Sequence, residues 1–245
     1  LNAMRQEPPN WASILPAELL SLTEQDKEAA AALADYFEGR EEKAAEVLER
    51  LSKNSKNPAV FHALCLIEER RAQAPKEYAK VYQWKDQRDV LLEEYGEAFR
   101  ELLPLAEHCS ENGSVAAQVF LGDLYRMGWG VEQDLQKALS LFTKPAEQGD
   151  VYAQHSMGDT YYSLRDYNKA AEWYRKAAEQ GLPDAQNALG FLYDMGEGVE
   201  QDYRKAAEWY RKAAEQGHPM AQSKLHVLYY EGKDVEWWWG RKATD

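Results

Sequence analysis

The sequence predicts an all-α protein, a right-handed α/α superhelical solenoid built from helix-turn-helix repeats. The first observation is the stretch 169–181, KAAEWYRKAAEQG, which returns letter for letter at 205–217 and in a degraded form, KALSLFTKPAEQG, at 137–149. The second is that Ala-Gln pairs align the copies at spacings of 36, 32 and 36 residues. The third is apolar spacing of the helical kind from residue 23 onward. Self-similarity at such a period is typical of repeat arrays.

Three regions follow from this pattern. Residues 1–22, with Pro8, Pro9 and Pro16, are predicted to form an irregular arm. Residues 23–113 are predicted to form a divergent helical region. Residues 114–245 are predicted to form the regular array, with repeats at 114–149, 150–181 and 182–217 and a truncated fourth at 218–245.

Helices in the front half are predicted from capping residues and prolines, which mark helix ends. The first is expected to begin after Thr23 and to end at Gly39, and the second to cover Glu41–Leu51. Further helices are expected to open at Pro58, to cover about 77–95, and to surround Phe99, where Pro104 indicates a kink or a restart.

Each repeat has a first helix, helix A, and a second helix, helix B. An aspartate precedes each B helix as its N-cap, and a glycine follows it; these residues are Asp134, Asp166 and Asp202, and Gly149, Gly181 and Gly217. Glycine inside a helix lowers helix stability by roughly 1 kcal/mol relative to alanine. Its recurrence at Gly122, Gly158 and Gly190 therefore predicts a close approach of helix B. The second copy lacks four residues in its turn, which shortens a surface loop.

The pattern AQ-x-x-LG-x-x-Y-x-x-G-x-G-V-x-x-D-x-x-KA-x-x-WY-x-KAAEQG resembles that of the Sel1-like repeat family, which is related to the tetratricopeptide repeats. The resemblance covers about 115–245 closely and 24–51 loosely. It implies a superhelix of stacked hairpins and an adaptor that holds other proteins. Many members are bacterial, and some are linked to secretion, virulence or toxin immunity.

The charge and composition of the chain argue against some classes of binding partner. The net charge is −13, from 29 Lys+Arg against 42 Asp+Glu, and an acidic chain repels nucleic-acid phosphates and anionic lipid. We therefore expect no nucleic-acid partner. No run approaches the roughly 18 apolar residues of a membrane span, so we expect no membrane insertion. Cys65 and Cys109 are interpreted as reduced, buried thiols.

These features, together with the bacterial resemblance, favour a cytoplasmic protein. The alternative is a periplasmic or secreted protein whose signal peptide has been removed. Leu1–Ala3 are interpreted as a vector remnant, and Met4 as the native start.

Catalytic motifs are missing from the sequence. It contains no GxSxG, no HExxH and no GxxxxGK[ST], and its histidines show no metal-ligand spacing. The Gly-x-Gly pairs at 128–130 and 196–198 fall in turns between helices, which is the wrong context for a dinucleotide site. We therefore expect no enzyme activity, no cofactor and no metal.

A binding face is predicted on the A helices, because stacked repeats expose the outward positions of these helices side by side on a concave surface. Counted from the Leu of the Leu-Gly pair, or its equivalent, the lining positions are −5, −2, +2 and +5. The residues predicted to bind a partner are Val119, Asp123, Arg126, Tyr152, His155, Asp159, Tyr162, Asn187, Phe191, Asp194, Ser223, Val227 and Tyr230. The −5 position also includes Ala116, Asp184 and Met220. The alternative is that these are simply solvated helix positions.

The C-terminal end departs from the pattern. His226 replaces the packing glycine, and Trp237, Trp238 and Trp239 replace the start of helix B. Terminal repeats are atypical because they cap the core. The tryptophans are therefore predicted either to cap the array or to form a second contact surface, for a partner or for another copy of the chain.

The first functional hypothesis is a non-catalytic scaffold that binds a peptide or protein on the concave face. The alternative is an immunity or chaperone-like protein that masks a single toxin or effector. A hydrolase with an unrecognised site and a structural homo-oligomer are further hypotheses. A monomer or a weak homodimer is expected.

Overall fold

The computed structural model of the protein describes residues 24–53, 60, 62–64, 67, 83–89 and 98–233. Its helices are α1 (Glu24–Phe37), α2 (Glu41–Ser52), α3 (Ala98–Glu111), α4 (Val115–Met127), α5 (Leu135–Glu147), α6 (Val151–Ser163), α7 (Tyr167–Glu179), α8 (Pro183–Met195), α9 (Tyr203–Glu215) and α10 (Pro219–Tyr230). Residues 60, 62–64, 67 and 83–89 also have helical backbone. Each described element is helical, which confirms the all-α fold class.

Helices α4, α6, α8 and α10 are the A helices of successive repeats, and α5, α7 and α9 are the B helices. The predicted caps of the B helices are confirmed. Asp134 accepts a hydrogen bond from the backbone N–H of Lys137 at 2.9 Å, and Asp166 and Asp202 act in the same way on α7 and α9. The glycines that follow the B helices have positive φ, between +89° and +98°, which glycine adopts without strain.

The predicted close approach within each hairpin is also confirmed. A Cβ built on Gly158 would lie 2.4 Å from the ring of Tyr174, far inside van der Waals contact. The same relation holds between helix A and helix B in the neighbouring repeats, for Gly122 with Phe142 and Gly190 with Tyr210. The glycines therefore make room for a buried ring of helix B.

The turn between the two helices of the second repeat has a different backbone conformation from the longer turns. Helix α6 ends at Ser163 and α7 begins at Tyr167, so three residues make the connection. Arg165 takes φ +62°, the one positive φ of a non-glycine residue among the described positions. The longer turns use glycine instead, and a Cβ on Gly198 would lie 2.1 Å from the carbonyl oxygen of Tyr167 in the preceding repeat.

Consecutive helices pack against each other from α3 to α10, and α1 packs on α2, α3 and α4. Phe37 of α1 meets Phe120 of α4 with ring centroids 5.3 Å apart, and the Ser114 hydroxyl donates to the Phe37 carbonyl. Helices α1 and α3 thus pack directly against the first helix of the array.

Several predictions in the front half can be compared with the structure. Helix α2 has the predicted position, and Pro104 lies inside α3, so no restart occurs there. The interpretations of residues 1–23, Pro58, Cys65 and Trp237–Trp239 fall outside the described residues.

Candidate partner-binding face

A cleft of about 200 Å³ lies where the predicted positions of α4, α6 and α8 converge. Predicted residues of three consecutive repeats line it, together with residues of the front half and of the first turn. The lining residues are His62, Lys85, Arg88, Asp123, Arg126, Met127, Trp129, Tyr152, His155, Ser156, Asp159, Leu182 and Asp184.

Arg126 of α4 joins the first two repeats. Its Nε and Nη2 donate to Asp123 Oδ1 at 3.2 and 3.1 Å, and its Nη1 lies 3.3 Å from Asp159 Oδ2 of α6. Burial alone would lower the pKa of Arg126, but the two carboxylates outweigh it and raise that pKa. Ser156 also donates to Asp123 Oδ1, at 3.2 Å. Both carboxylates are therefore fixed in position by neighbours.

Asp159 is held in position by a side chain of α7, the B helix of the same repeat. The Tyr174 hydroxyl donates to Asp159 Oδ1 at 2.8 Å. The pKa of Tyr174 is raised well above its ordinary value, mainly because the side chain is buried and also because the Asp159 carboxylate lies beside it. Tyr174 is the ring that fills the space left by Gly158. The packing of the hairpin and the position of the cleft carboxylate are thus coupled through one side chain.

Asp184, at the start of α8, bridges the front half and the last repeat. Its Oδ2 lies 2.9 Å from Lys85 Nζ, and its Oδ1 lies 3.2 Å from His218 Nε2. His218 Nδ1 accepts from the backbone N–H of Ala221 at 3.2 Å, so Nε2 carries the proton and donates to Asp184. Burial would raise the pKa of Asp184, but Lys85 and His218 hold it well below its usual range.

His62 forms one wall of the cleft and is only 3% exposed. Its ring lies 5.1 Å from that of Phe120 and 5.2 Å from that of Trp129. Neither ring nitrogen has a hydrogen-bond partner among the residues that the structure describes, and Nε2 lies 3.5 Å from Asp123 Oδ2. The pKa of His62 is lowered to about 3, chiefly by burial and also by nearby arginine and lysine side chains, against the opposing effect of Asp123. The imidazole is therefore neutral at pH 7.

The rim beside His62 is built from stacked planar groups. The Arg88 guanidinium lies 4.9 Å from the Trp129 ring, which stacks on Phe99 with centroids 5.3 Å apart at 23°. Arg88 also pairs with Asp89 at 2.7 Å. This stack holds the 83–89 segment against the first turn of the array.

Five of the predicted binding residues meet in this cleft: Asp123, Arg126, Tyr152, His155 and Asp159. The contributions of His62, Lys85, Arg88 and Trp129 were missed. Lys85 and Asp184 are 99 residues apart in the chain, and no repeat position relates them. An ion pair between two residues so far apart, in segments that do not repeat, cannot be predicted from a single sequence.

Three of the predicted contact residues are buried. Val119 is fully buried. Asp194 is also buried, at 7% exposure, and accepts from the Tyr210 hydroxyl at 3.4 Å. Tyr152 lines the cleft, but its side chain is only 4% exposed.

The remaining predicted residues extend from the cleft toward the C-terminal end. Tyr162 and Phe191 meet edge to face with centroids 6.2 Å apart, and Lys224 Nζ lies 5.4 Å from the Phe191 ring. Asn187 is partly buried, and Ser223, Val227 and Tyr230 on α10 are exposed. His226, which replaces the packing glycine, lies 4.3 Å from the Tyr230 ring and is exposed.

Within the part of the chain that the structure describes, no group of three or more His, Cys, Asp or Glu side chains could hold a metal ion. In the same ranges, none of the helices combines the length and the apolar character that crossing a membrane requires. Cys109 is buried, and burial raises the pKa of its thiol to about 11.

The chain is similar to known repeat proteins. The family profile described as Sel1 repeat matches residues 115–150, 151–182 and 183–218. A Sel1 repeat protein from Oxalobacter formigenes is 36% identical over 51% of this chain and 97% of that protein, with a TM-score of 0.44. A protective antigen present in uropathogenic Escherichia coli strains, which displays an SLR fold, is 31% identical with a TM-score of 0.53.

The match to the Escherichia coli antigen covers 79% of this chain but only 45% of the antigen, so the present chain spans less than half of that protein. The Oxalobacter formigenes protein is matched over nearly its whole length. The profile matches fall on the same three helix pairs that carry the repeated sequence. The chain therefore belongs to the Sel1 repeat family.

Proposed function

We propose that this protein is a non-catalytic scaffold that holds a segment of another protein along the concave face formed by α4, α6, α8 and α10. The observation that carries the proposal is that side chains from three successive A helices line one cleft. Members of the Sel1 repeat family generally act as protein–protein interaction scaffolds, which supports the same function.

A second support is the character of the surface beyond the cleft. Tyr162 and Phe191 form a half-buried aromatic pair beside it. Further along, Val227 is 46% exposed and Tyr230 is 69% exposed. Aromatic side chains in partly buried positions are the commonest anchors of protein interfaces. An extended partner segment would place polar groups in the cleft and apolar groups on these rings.

The test is affinity purification with mass spectrometry from the source cell, with three baits. The first is the wild type, and the second carries Tyr162→Ala and Phe191→Ala. The third carries Trp173→Ala and Trp209→Ala, which remove two half-buried aromatic rings from the B helices instead. Each variant is first shown to be folded by circular dichroism and thermal melting.

A protein that binds the wild type and the B-helix variant, but is lost from the Tyr162/Phe191 variant, supports the scaffold on the predicted face. A partner that all three baits retain, or that only the B-helix variant loses, contradicts it. Titration calorimetry with the purified partner then separates the two finer roles: one very tight partner fits an immunity protein, and several weaker partners fit an adaptor.

A further inference from the structure

Residues 83–89 of the front half lie against the concave face of the array. Lys85 Nζ pairs with Asp184 Oδ2 of the third repeat at 2.9 Å, and the Arg88 guanidinium lies 4.9 Å from the Trp129 ring of the first repeat. Both cationic side chains line the cleft together with side chains of α4 and α6. The segment therefore reaches from the first repeat to the third along one side of the cleft.

The segment 83–89 is helical and turns one side toward the array. Trp84, Lys85 and Arg88 are partly buried, at positions i, i+1 and i+4 of the helix, and Trp84 packs against the apolar core. The residues on the other side of this helix are exposed: Gln83, Asp86, Gln87 and Asp89. A helix that lays one side into a groove of another protein is a common mode of recognition, and the contact seen here has the same form within one chain.

The contacts of residues 83–89 are weaker than those of the other front-half helices. Helix α1 contributes Leu33 and α3 contributes Phe99 to the core, and both side chains are fully buried. Within 83–89 no side chain is fully buried, and those of Lys85 and Arg88 remain 24% and 15% exposed. Partly exposed ion pairs and cation–π contacts each contribute little to stability. Loss of these contacts therefore leaves the packing of α1 and α3 intact.

We propose that residues 83–89 are an intramolecular ligand of the concave face, and that they prevent a helical segment of another protein from binding at the first three repeats until they are displaced. A segment of the same chain competes at a high effective concentration, on the order of 1 mM, so it excludes ligands that bind weakly. The inference rests on the proposed scaffold function and adds an autoinhibitory contact to it.

The probe is a synthetic peptide with the sequence of residues 83–89, acetylated at its N-terminus and amidated at its C-terminus. In the peptide, Gln83→Lys and Gln87→Asp are joined by a side-chain lactam, which holds it helical through its exposed side and so lowers the entropy lost on binding. The peptide is titrated into the isotope-labelled intact chain. NMR follows the indole N–H signal of Trp129 and the backbone amides of α8.

Three proteins are compared: the wild type, a released variant and a matched control. The released variant carries Trp84→Ala, Lys85→Ala and Arg88→Ala, which remove the three side chains that face the array. The control carries Gln83→Glu and Gln87→Glu on the exposed side of the same helix. Two positive charges are lost in the first and two negative charges are added in the second, so the net charge changes equally.

We expect the peptide to bind the released variant at least about tenfold more tightly than the wild type or the control, because only the released variant leaves the face unoccupied. Circular dichroism first shows that each protein is folded. If the released variant does not fold, the double variant Lys85→Ala/Arg88→Ala, which keeps Trp84 on the core, takes its place.

Two results overturn the inference. One is that the peptide shifts neither the Trp129 nor the α8 signals of the folded released variant. The other is that the wild type or the control binds the peptide as tightly as the released variant does, which would mean that residues 83–89 leave the face open. Either result leaves the scaffold proposal intact if a partner is captured through Tyr162 and Phe191, so the two proposals fail separately.

Discussion

Gln216 Nε2 donates to Gln186 Oε1 at 2.8 Å and to the Gly181 carbonyl at 3.0 Å. Gln186 in turn donates to the Ala178 carbonyl of the preceding B helix at 3.2 Å. The same pair recurs one repeat earlier, where Gln180 donates to Gln154 at 2.7 Å. The glutamines of the Ala-Gln pair and of the Glu-Gln-Gly ending thus bond to each other, and they join neighbouring hairpins.

Gln186→Ala is expected to lower the free energy of unfolding by roughly 1–3 kcal/mol, because it leaves buried donors and acceptors without partners. Gln118→Ala is the matched control, since Gln118 has a single long hydrogen bond, 3.4 Å to Ser110, and its Oε1 lacks a partner among the described residues. Urea unfolding followed by circular dichroism measures both. Equal losses would show that the glutamine pair contributes nothing beyond side-chain packing.

Gly158→Ala should destabilise the protein even though alanine is the better helix former. The new Cβ would lie 2.4 Å from the Tyr174 ring, and overpacking of this kind typically lowers stability by about 1–3 kcal/mol. Because Tyr174 also holds Asp159, the His155 and Asp159 NMR signals should shift as well. A more stable Gly158→Ala variant would contradict the close approach of α6 and α7.

Arg165→Gly should stabilise the protein by about 0.5–1 kcal/mol, since it removes the strain of a left-handed backbone at a residue that carries a Cβ. Leu164→Gly provides the control. Leu164 has φ −79°, a conformation that side chains favour, so glycine there only increases the freedom of the unfolded chain and should destabilise. Thermal melts of the two variants should move in opposite directions. If both lower the melting temperature, the strain at residue 165 is negligible.

Stability should depend on pH through Asp184. Its folded pKa lies well below the unfolded value of about 3.9, so the stability that it contributes is present above that pH. It is lost as the pH falls below about 4 toward the folded pKa. Asp184→Asn should therefore be less stable than the wild type at pH 7, and the difference should shrink below pH 4. Urea unfolding from pH 7 to pH 3 measures this, and a constant difference would show that Asp184 is not specially stabilised as a carboxylate.

Much of the fold could be predicted because the signals that define a repeat are local and recur. Asp202 caps the helix that begins one residue later, Gly217 ends the same helix, and Gly190 faces Tyr210 within the same hairpin. Each of these contacts joins residues within about one repeat of each other, and an equivalent contact occurs in the neighbouring repeat. Periodicity also predicted which helix carries the cleft, since Asp123 and Asp159 occupy the same position on α4 and α6.

The cleft itself could not be predicted, because it joins the array to segments that do not repeat. His62 and Lys85 reach it from a front half with no internal copy, and their neighbours in space are distant in sequence. The burial of Val119 was not predicted either, since the equivalent positions His155 and Asn187 in the next two repeats are only partly buried. Contacts between neighbouring repeats can be predicted because the same residue pairs recur in each copy of the sequence. Contacts between segments of unrelated sequence do not recur, so only the tertiary structure shows which residues meet.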